Sequence, residues 1–428
     1  MAPLAKESSR WNTYICRDKS GYSNGYFSFY LTEGTHTITL EAEREPMVIR
    51  DIRFEPVSGS SLEGEADSST SGVRFDGEKY YFSESNSFAQ FKAALANDGK
   101  YNAGKGSIIT LQAEFPDAIS DSSVAASNDN TSAATTPVSA GAQMYNVIGE
   151  TGYDAIGQWA AYTFKVTESG MYKISMRFMQ DALQGMFICR SIKIAGGNKY
   201  VYGVDGSPVA PYEEATRARF NYNSDWQSEY IGYYDGNGIR RELEFYFEEG
   251  EEYTLYLECA LGDLKSYIQQ VEMTLANLND AYLQILQYTG SDPDENQNYK
   301  FHEKLPEVLI TLLDEAENLT RIADDLEKLC GTNGSHIATL DTVARILLLM
   351  GKDHGREIAA NLSSLKTYLG TLGTWINNSK SSKLIVDSIS VCPADAEEEG
   401  LKRAKSGFFR SIGFEIASFF WSFFTDYD

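Results

Sequence analysis

Phe245-Tyr246-Phe247-Glu248-Glu249-Gly250, followed by Thr254-Leu255-Tyr256-Leu257-Glu258, is the second of two copies in this chain. The first is Phe29-Tyr30-Leu31-Thr32-Glu33-Gly34, followed by Thr37-Ile38-Thr39-Leu40-Glu41. Upstream of each, Ser9-Arg10-Trp11-Asn12-Thr13-Tyr14-Ile15 recurs as Ser224-Asp225-Trp226-Gln227-Ser228-Glu229-Tyr230-Ile231, with one residue inserted. In both copies two alternating apolar runs meet at a Glu-Gly turn, the pattern of adjacent antiparallel strands. The first copy closes soon after, at Met47–Phe54, whereas the second closes only at Leu384–Val391. Between them, from Asp263 onward, the apolar period changes from two to about 3.6, which marks helices. The repeat therefore predicts two related β domains, the second split by a helical insertion before its last strand.

Working outward, the expected fold class is β-sandwich plus α. Residues 1–57 supply the closing strands of a first, incomplete sandwich. Residues 58–104 read as a polar linker with a short helix around Ser87–Asn97. Residues 105–262 form the second sandwich, 263–381 a four-helix bundle inserted into it, and 382–394 its closing strand. Residues 395–428 end in an amphipathic helix. In the bundle, Pro306 opens one helix and Gly331 closes it. A sheet lacking half its strands leaves an edge and a face uncovered. The sequence thus reads as a fragment, or as a chain whose missing strands come from elsewhere.

The formal net charge of −24 argues against nucleic acid, whose phosphates need Lys and Arg in excess. It also disfavours attraction to anionic lipid. The 27 Tyr and 22 Phe suit strand cores, and they also suit sugar-binding surfaces, where ring faces stack on pyranoses. The five cysteines, Cys16, Cys189, Cys259, Cys330 and Cys392, form no CxxC pair, so neither a zinc site nor a redox motif is indicated. Cys259 and Cys392 flank the insertion, and free buried thiols are expected there rather than a bridge. No run of about 18 apolar residues is present, and Met-Ala-Pro-Leu-Ala-Lys lacks the apolar core of a signal peptide.

Carboxylates are spread so widely that no glycosidase acid/base pair stands out. His36, His302, His336 and His354 are isolated, and neither GxSxG, HExxH nor a phosphate loop occurs. A non-catalytic chain is expected. For a glycan ligand, Tyr233-Tyr234-Asp235-Gly236-Asn237-Gly238 is the leading candidate, because adjacent strand residues cannot both point inward. Tyr202, Tyr212, Tyr222 and Trp226 lie in the neighbouring irregular stretches, with Asp205 and Asp235 as polar partners. Trp226 also repeats Trp11, a pattern that suits a core position. Trp159 and Trp375, on alternating and helical patterns, read as core.

Gly157-Gln158-Trp159, Tyr162, Val166, Gly170, Tyr172, Ile174 and Arg177 resemble the middle of the carbohydrate-binding sandwiches of families 6 and 35, and Leu111-Gln112-Ala113-Glu114 is similar to their opening strand. That resemblance implies galactose-binding-like jelly rolls. It also implies a structural calcium held by Glu114 and Asp387, although Arg50 stands at the counterpart of Asp387 in the first copy. Over nearly the whole chain, Trp11, Arg44-Glu45-Pro46-Met47-Val48-Ile49, Gly262-Asp263-Leu264, Leu372-Gly373-Thr374-Trp375 and the Phe-rich end resemble a second group. These are the N-terminal accessory regions of large family 1 extracellular solute-binding proteins of Gram-positive gut bacteria. A looser likeness, of architecture only, is to starch-adherence proteins.

These resemblances imply non-catalytic oligosaccharide binding at a bacterial cell surface, upstream of solute-binding lobes that this chain does not contain. A structural spacer or a protein–protein adaptor remains the alternative. The terminal helix has two readings. Its Phe face packs on the bundle or a downstream domain, which the sequence favours, or it lies on a membrane with Lys402, Arg403, Lys405 and Arg410 nearby.

Overall fold

The computed structural model describes residues 16, 18, 20–22, 27, 29–40, 49–54, 73–140, 144–150, 152–203, 207–396 and 403–421. The chain divides into two compact units, Met1–Thr70 and Ser71–Asp428.

Among the described residues of the first unit no strand is formed. Phe27, Phe29, Leu31, Ile38, Leu40, Ile49, Ile52 and Phe54 are all exposed. The alternation expected over 26–54 is present in sequence, yet among the described residues no sheet faces these side chains. Trp11 lies outside the described residues.

The second unit is a sandwich with a helical bundle emerging from it. One sheet runs Arg74–Phe75, Tyr80–Phe82, Tyr200–Tyr202, Phe187–Gly196, Glu252–Ala260, Trp159–Lys165, Ala118–Ile119, and Ala218–Asn221 also pairs with Phe187–Gly196. The facing sheet runs Asn223–Tyr230, Gly170–Gln180, Ile385–Pro393, Val147–Ile148, Ala126–Ser127. Glu244–Phe247 adds to Gly170–Gln180, and Ile109–Gln112 to Ile385–Pro393. The strand that follows the helical insertion thus lies in the middle of the second sheet, antiparallel to Gly170–Gln180.

Alternation explains the core. Tyr253, Leu255 and Leu257 turn inward, as do Ala160, Tyr162 and Phe164 on the neighbouring strand. Across the gap, Phe247 meets Phe164 and Tyr253 at ring-centroid distances of 5.0 and 4.7 Å. Each buried ring of this size contributes about 1.5–3 kcal/mol. The hydroxyl ends do not go unmatched: Tyr162 donates to the Ala113 carbonyl at 2.8 Å, Tyr172 to Glu168 at 2.7 Å and Tyr202 to Tyr246 at 2.7 Å.

Residues 58–104, read as linker, join the sandwich from Val73 onward. Tyr80–Phe82 pairs parallel to Tyr200–Tyr202, and the Tyr80 ring stacks on Tyr200 at 5.2 Å. Helix α1 (Phe88–Asn97) follows, with Ser87 as its N-cap and Gln90 completing a capping box. Its Phe91, fully buried, packs on Tyr212 at 5.1 Å.

The insertion begins at Gly262, where φ is +49° and a Cβ would stand 2.5 Å from the Cys189 sulfur. Helices α2 (Lys265–Thr289), α3 (Phe301–Lys304), α4 (Pro306–Cys330), α5 (Ser335–Gly351) and α6 (Ile358–Lys380) follow. Pro306 occupies the first turn of α4, and Gly331 caps its end in the left-handed region. Gly334 stands at the N-cap of α5. Leu312, Leu319, Leu340, Leu347, Leu362 and Leu372 fill the bundle interior. Arg219 donates to the Leu329 carbonyl at 2.8 Å, and Gly334 lies so close to Gly185 that a Cβ on Gly185 would meet it at 2.5 Å. These contacts fasten the bundle to the sandwich. Helix α7 (Phe408–Trp421) follows, with Ile416, Phe419, Phe420 and Trp421 exposed.

Candidate functional site

Gly232–Tyr234 and Arg240–Glu242 form a separate two-stranded ribbon, closed by the turn at Asp235–Gly238. Asp235 holds that turn. Its Oδ1 accepts the Asn237 and Ile239 amides, each at 3.0 Å, and its Oδ2 accepts from Arg241 Nε at 3.0 Å. The Ile239 amide first, then Arg241 and the Asn237 amide, lower its carboxyl below the usual range. Asp235 is therefore a turn-forming residue and not a free polar partner for a sugar.

The sequence candidates do not gather into one site. Tyr202 and Tyr212 are fully buried in the aromatic core, and Tyr233 is nearly so. Trp226 is buried against the second sheet, with the Arg177 guanidinium 4.1 Å from its ring centre. Tyr222 is half-buried, and Asp205 lies outside the described residues. Tyr234 is half-buried, but the Arg219 guanidinium covers its ring at 4.2 Å while also lying 3.7 Å from Phe187. Asn221 Nδ2 donates to its hydroxyl at 3.0 Å. Tyr233 turns inward and Tyr234 outward, so the two do not both point into the core, but each ring is paired with an arginine, Arg217 standing 5.4 Å from Tyr233.

What the ribbon does build is a groove of about 480 Å³ with α1. Phe88, Lys92, Tyr233, Arg240, Arg241, Glu242 and Glu244 line it. Phe88 and Lys92 stand one helical turn apart, so they share a face. The Lys92 ammonium lies 5.2 Å from the Phe88 ring and 4.7 Å from Tyr101. The Tyr101 hydroxyl donates to Glu244 Oε2, and burial, with Glu244 behind it, raises its pKa. Arg240 pairs with Glu229 at 3.1 Å, Arg241 with Asp235 at 3.0 Å and Glu242 with Lys173 at 2.8 Å. The charges are matched, and the groove offers donors and acceptors beside aromatic surface. Phe88 and Lys92 lie on the short helix expected over Ser87–Asn97, and Tyr101 just beyond it, but none of the three stands out in sequence as a site residue. The one cue was the i, i+4 placement of Lys92 after Phe88.

Calcium does not fit the residues proposed for it. Asp387 is buried on the closing strand and Glu114 is buried in the turn just past Ile109–Gln112, where the Ala113 amide donates to the Asp387 carbonyl at 3.2 Å. The Asp387 carboxylate, however, is taken: Oδ2 meets Arg177 Nη1 at 3.0 Å, and Oδ1 accepts the Thr136 amide at 3.1 Å. A guanidinium in contact already supplies the compensating charge, whereas calcium needs six to eight oxygens around it. Among the described residues no group of three or more His, Cys, Asp or Glu side chains is placed to hold a metal ion.

Several solved structures are similar to parts of the chain. A cycloisomaltooligosaccharide glucanotransferase from Paenibacillus sp., complexed with cycloisomaltoheptaose, is 16% identical over 41% of this chain and 21% of its own, with a TM-score of 0.23. The chain thus spans about a fifth of that enzyme's length. A family 35 carbohydrate-binding module from Clostridium thermocellum is 13% identical over 36% of this chain and 88% of its own, with a TM-score of 0.23. A second such module, from Paenibacillus barcinonensis, is 10% identical over 36% and 88%, with a TM-score of 0.20. The sandwich stands on its own strand pairing, independent of these likenesses. No curated protein matches the chain. In the helical insertion the match is one of sequence family: residues 266–378 fit the model described as the bacterial solute-binding protein, 4-helix bundle domain.

Proposed function

We propose that the chain binds oligosaccharide without catalysis, as an accessory segment of a bacterial solute-binding protein at the cell surface. The observation that carries this reading is the groove between α1 and the Tyr233 ribbon. There Phe88, with the nearly buried Tyr233 beside it, gives apolar surface, and Lys92, Arg240, Arg241, Glu242 and Glu244 give hydrogen-bonding groups at its rim. Sugars need that combination, an apolar face for the pyranose ring and directional partners for its hydroxyls. The family match across the helices supports the solute-binding context.

Calorimetric titration with malto-, xylo- and manno-oligosaccharides tests it. Saturable binding that weakens at least tenfold in Lys92→Met and in Glu244→Gln supports the groove. Equal affinity in wild type and both variants overturns it. A protein–protein adaptor is the second reading, favoured by the exposed Ile416, Phe419, Phe420 and Trp421 of α7. Silence across the sugar panel in folded protein would leave that reading standing.

A further inference from the structure

The outward side of the first sheet carries side chains that a solvated sheet face does not require. Three neighbouring strands present them in register. Trp159 lies opposite Glu258, which lies opposite Ser191; Ala161 lies opposite Tyr256, which lies opposite Lys193; Thr163 lies opposite Thr254, which lies opposite Ala195. All nine share one face, because the alternate residues Tyr162, Leu255, Leu257 and Ile192 point into the core.

Within this grid Trp159 and Tyr256 are half-buried and meet edge to face at 5.1 Å. Lys193 Nζ donates to both Glu258 oxygens, at 3.2 and 3.1 Å. Thr163 and Thr254 hydroxyls touch at 3.3 Å. An ordinary exposed ion pair sits on the same side of the same strands, Lys165 with Glu252, and its side chains are 58% and 62% exposed. Lys193 and Glu258 are only 8% and 9% exposed. A buried pair is a weak source of stability, since desolvation offsets much of its attraction. Beside it, Ser191 Oγ is buried and, among the described residues, has no hydrogen-bond partner.

We infer that this face is a second glycan-binding site, taking a neutral oligosaccharide laid across the strands. The Trp159 and Tyr256 rings form its apolar wall. The Lys193–Glu258 pair supplies charge-assisted hydrogen bonds to sugar hydroxyls. Because the pair is internally neutral, the site has no use for a carboxylate or sulfate on the sugar. The site shares no residue with the groove at the Tyr233 ribbon.

The test is titration calorimetry of the full chain with neutral oligosaccharides, comparing wild type with Trp159→Ala, Glu258→Gln and Lys92→Met. The expected result is two sugars bound per wild-type chain. Trp159→Ala and Glu258→Gln each weaken one site at least tenfold and leave the other unchanged, and Lys92→Met does the reverse. Trp159→Phe, which keeps a ring and the fold, is expected to abolish the sugar-induced change in tryptophan emission while still binding. Wild-type stoichiometry and affinity in both Trp159→Ala and Glu258→Gln overturn the second site. One sugar per chain, lost only in Lys92→Met, overturns it while the groove stands. One sugar lost only in Trp159→Ala and Glu258→Gln upholds it and rejects the groove. No binding at all rejects both.

Discussion

Arg177 and Asp387 form a fully buried ion pair, Nη1 to Oδ2 at 3.0 Å, at the point where the strand after the helical insertion bulges. The strand Ile385–Pro393 shifts register against Gly170–Gln180 between Val386 and Ser388, so Asp387 is the extra residue. The same guanidinium donates to Thr135 Oγ1 at 3.1 Å, to Ser132 Oγ at 2.9 Å and to the Ala404 carbonyl at 3.0 Å. One side chain thus ties together the closing strand, the loop before residue 140 and the segment leading to α7.

Removing the carboxylate strands that charge. Asp387→Ala is expected to cost about 3–5 kcal/mol, the usual consequence of leaving a buried charge uncompensated. The double variant Arg177→Met/Asp387→Leu is expected to lose less, because it removes both charges at once. Urea unfolding of the three proteins measures this. A loss under about 1 kcal/mol for Asp387→Ala, no more than an exposed pair is worth, contradicts the clamp.

The same pairing decides the response to calcium. With Asp387 committed to Arg177 and the Thr136 amide, adding calcium is expected to leave the melting temperature where chelator leaves it. A metal that bound the native state at a hundred times its Kd would stabilise by about 2.7 kcal/mol and raise the melting point visibly. Such a rise in calorimetric scans, lost in Glu114→Gln, would restore the calcium site.

Much of this architecture is legible in the sequence. The change of period at Asp263, Pro306 in the first turn of α4 and Gly331 at its end mark the bundle without reference to anything distant. Trp159 was also readable, since it has the same parity as Thr163 and Lys165, which face outward, and not that of Tyr162 and Phe164. Taking it as core gave its size more weight than its position. Other features depend on contacts far along the chain. Arg74–Phe75 and Tyr80–Phe82 are too short to show a period, and Tyr200, some 120 residues away, gives them their place. The Asp387 bulge leaves no local trace, and neither do the arginines that cover Tyr233 and Tyr234. Adjacent tyrosines before a Gly-rich turn reveal a ribbon, but not what stacks on it.

His336, half-buried near the start of α5, makes the bundle sensitive to mild acid. Burial lowers its pKa below the ordinary 6.5, and the positive end of the helix dipole also opposes a cation there. Because the folded value lies below the unfolded one, its contribution to stability is present above pH 6.5. It is lost as the pH falls from there through the folded value. Denaturation midpoints measured from pH 7.5 to 5 are expected to decline more steeply in wild type than in His336→Gln. Parallel curves for the two proteins would contradict this assignment.

The thiols give the last prediction. Cys259 lies in the first sheet and Cys392 in the second, and both are free. Burial pushes the Cys189 and Cys259 thiols up to about 12, and Cys330 and Cys392 up to about 11. The thiolate is the reactive form, so at pH 8 protonation shields these four, and burial also covers Cys189, Cys259 and Cys392. Cys16 is exposed. Native protein treated with a chromogenic disulfide reagent at pH 8 is therefore expected to release about one equivalent quickly, with the remaining four appearing only in denaturant. Rapid release of a second equivalent would mean that Cys330, half-buried at the end of α4, is not held protonated. Fewer than five equivalents in denaturant without reductant would mean that a disulfide had formed.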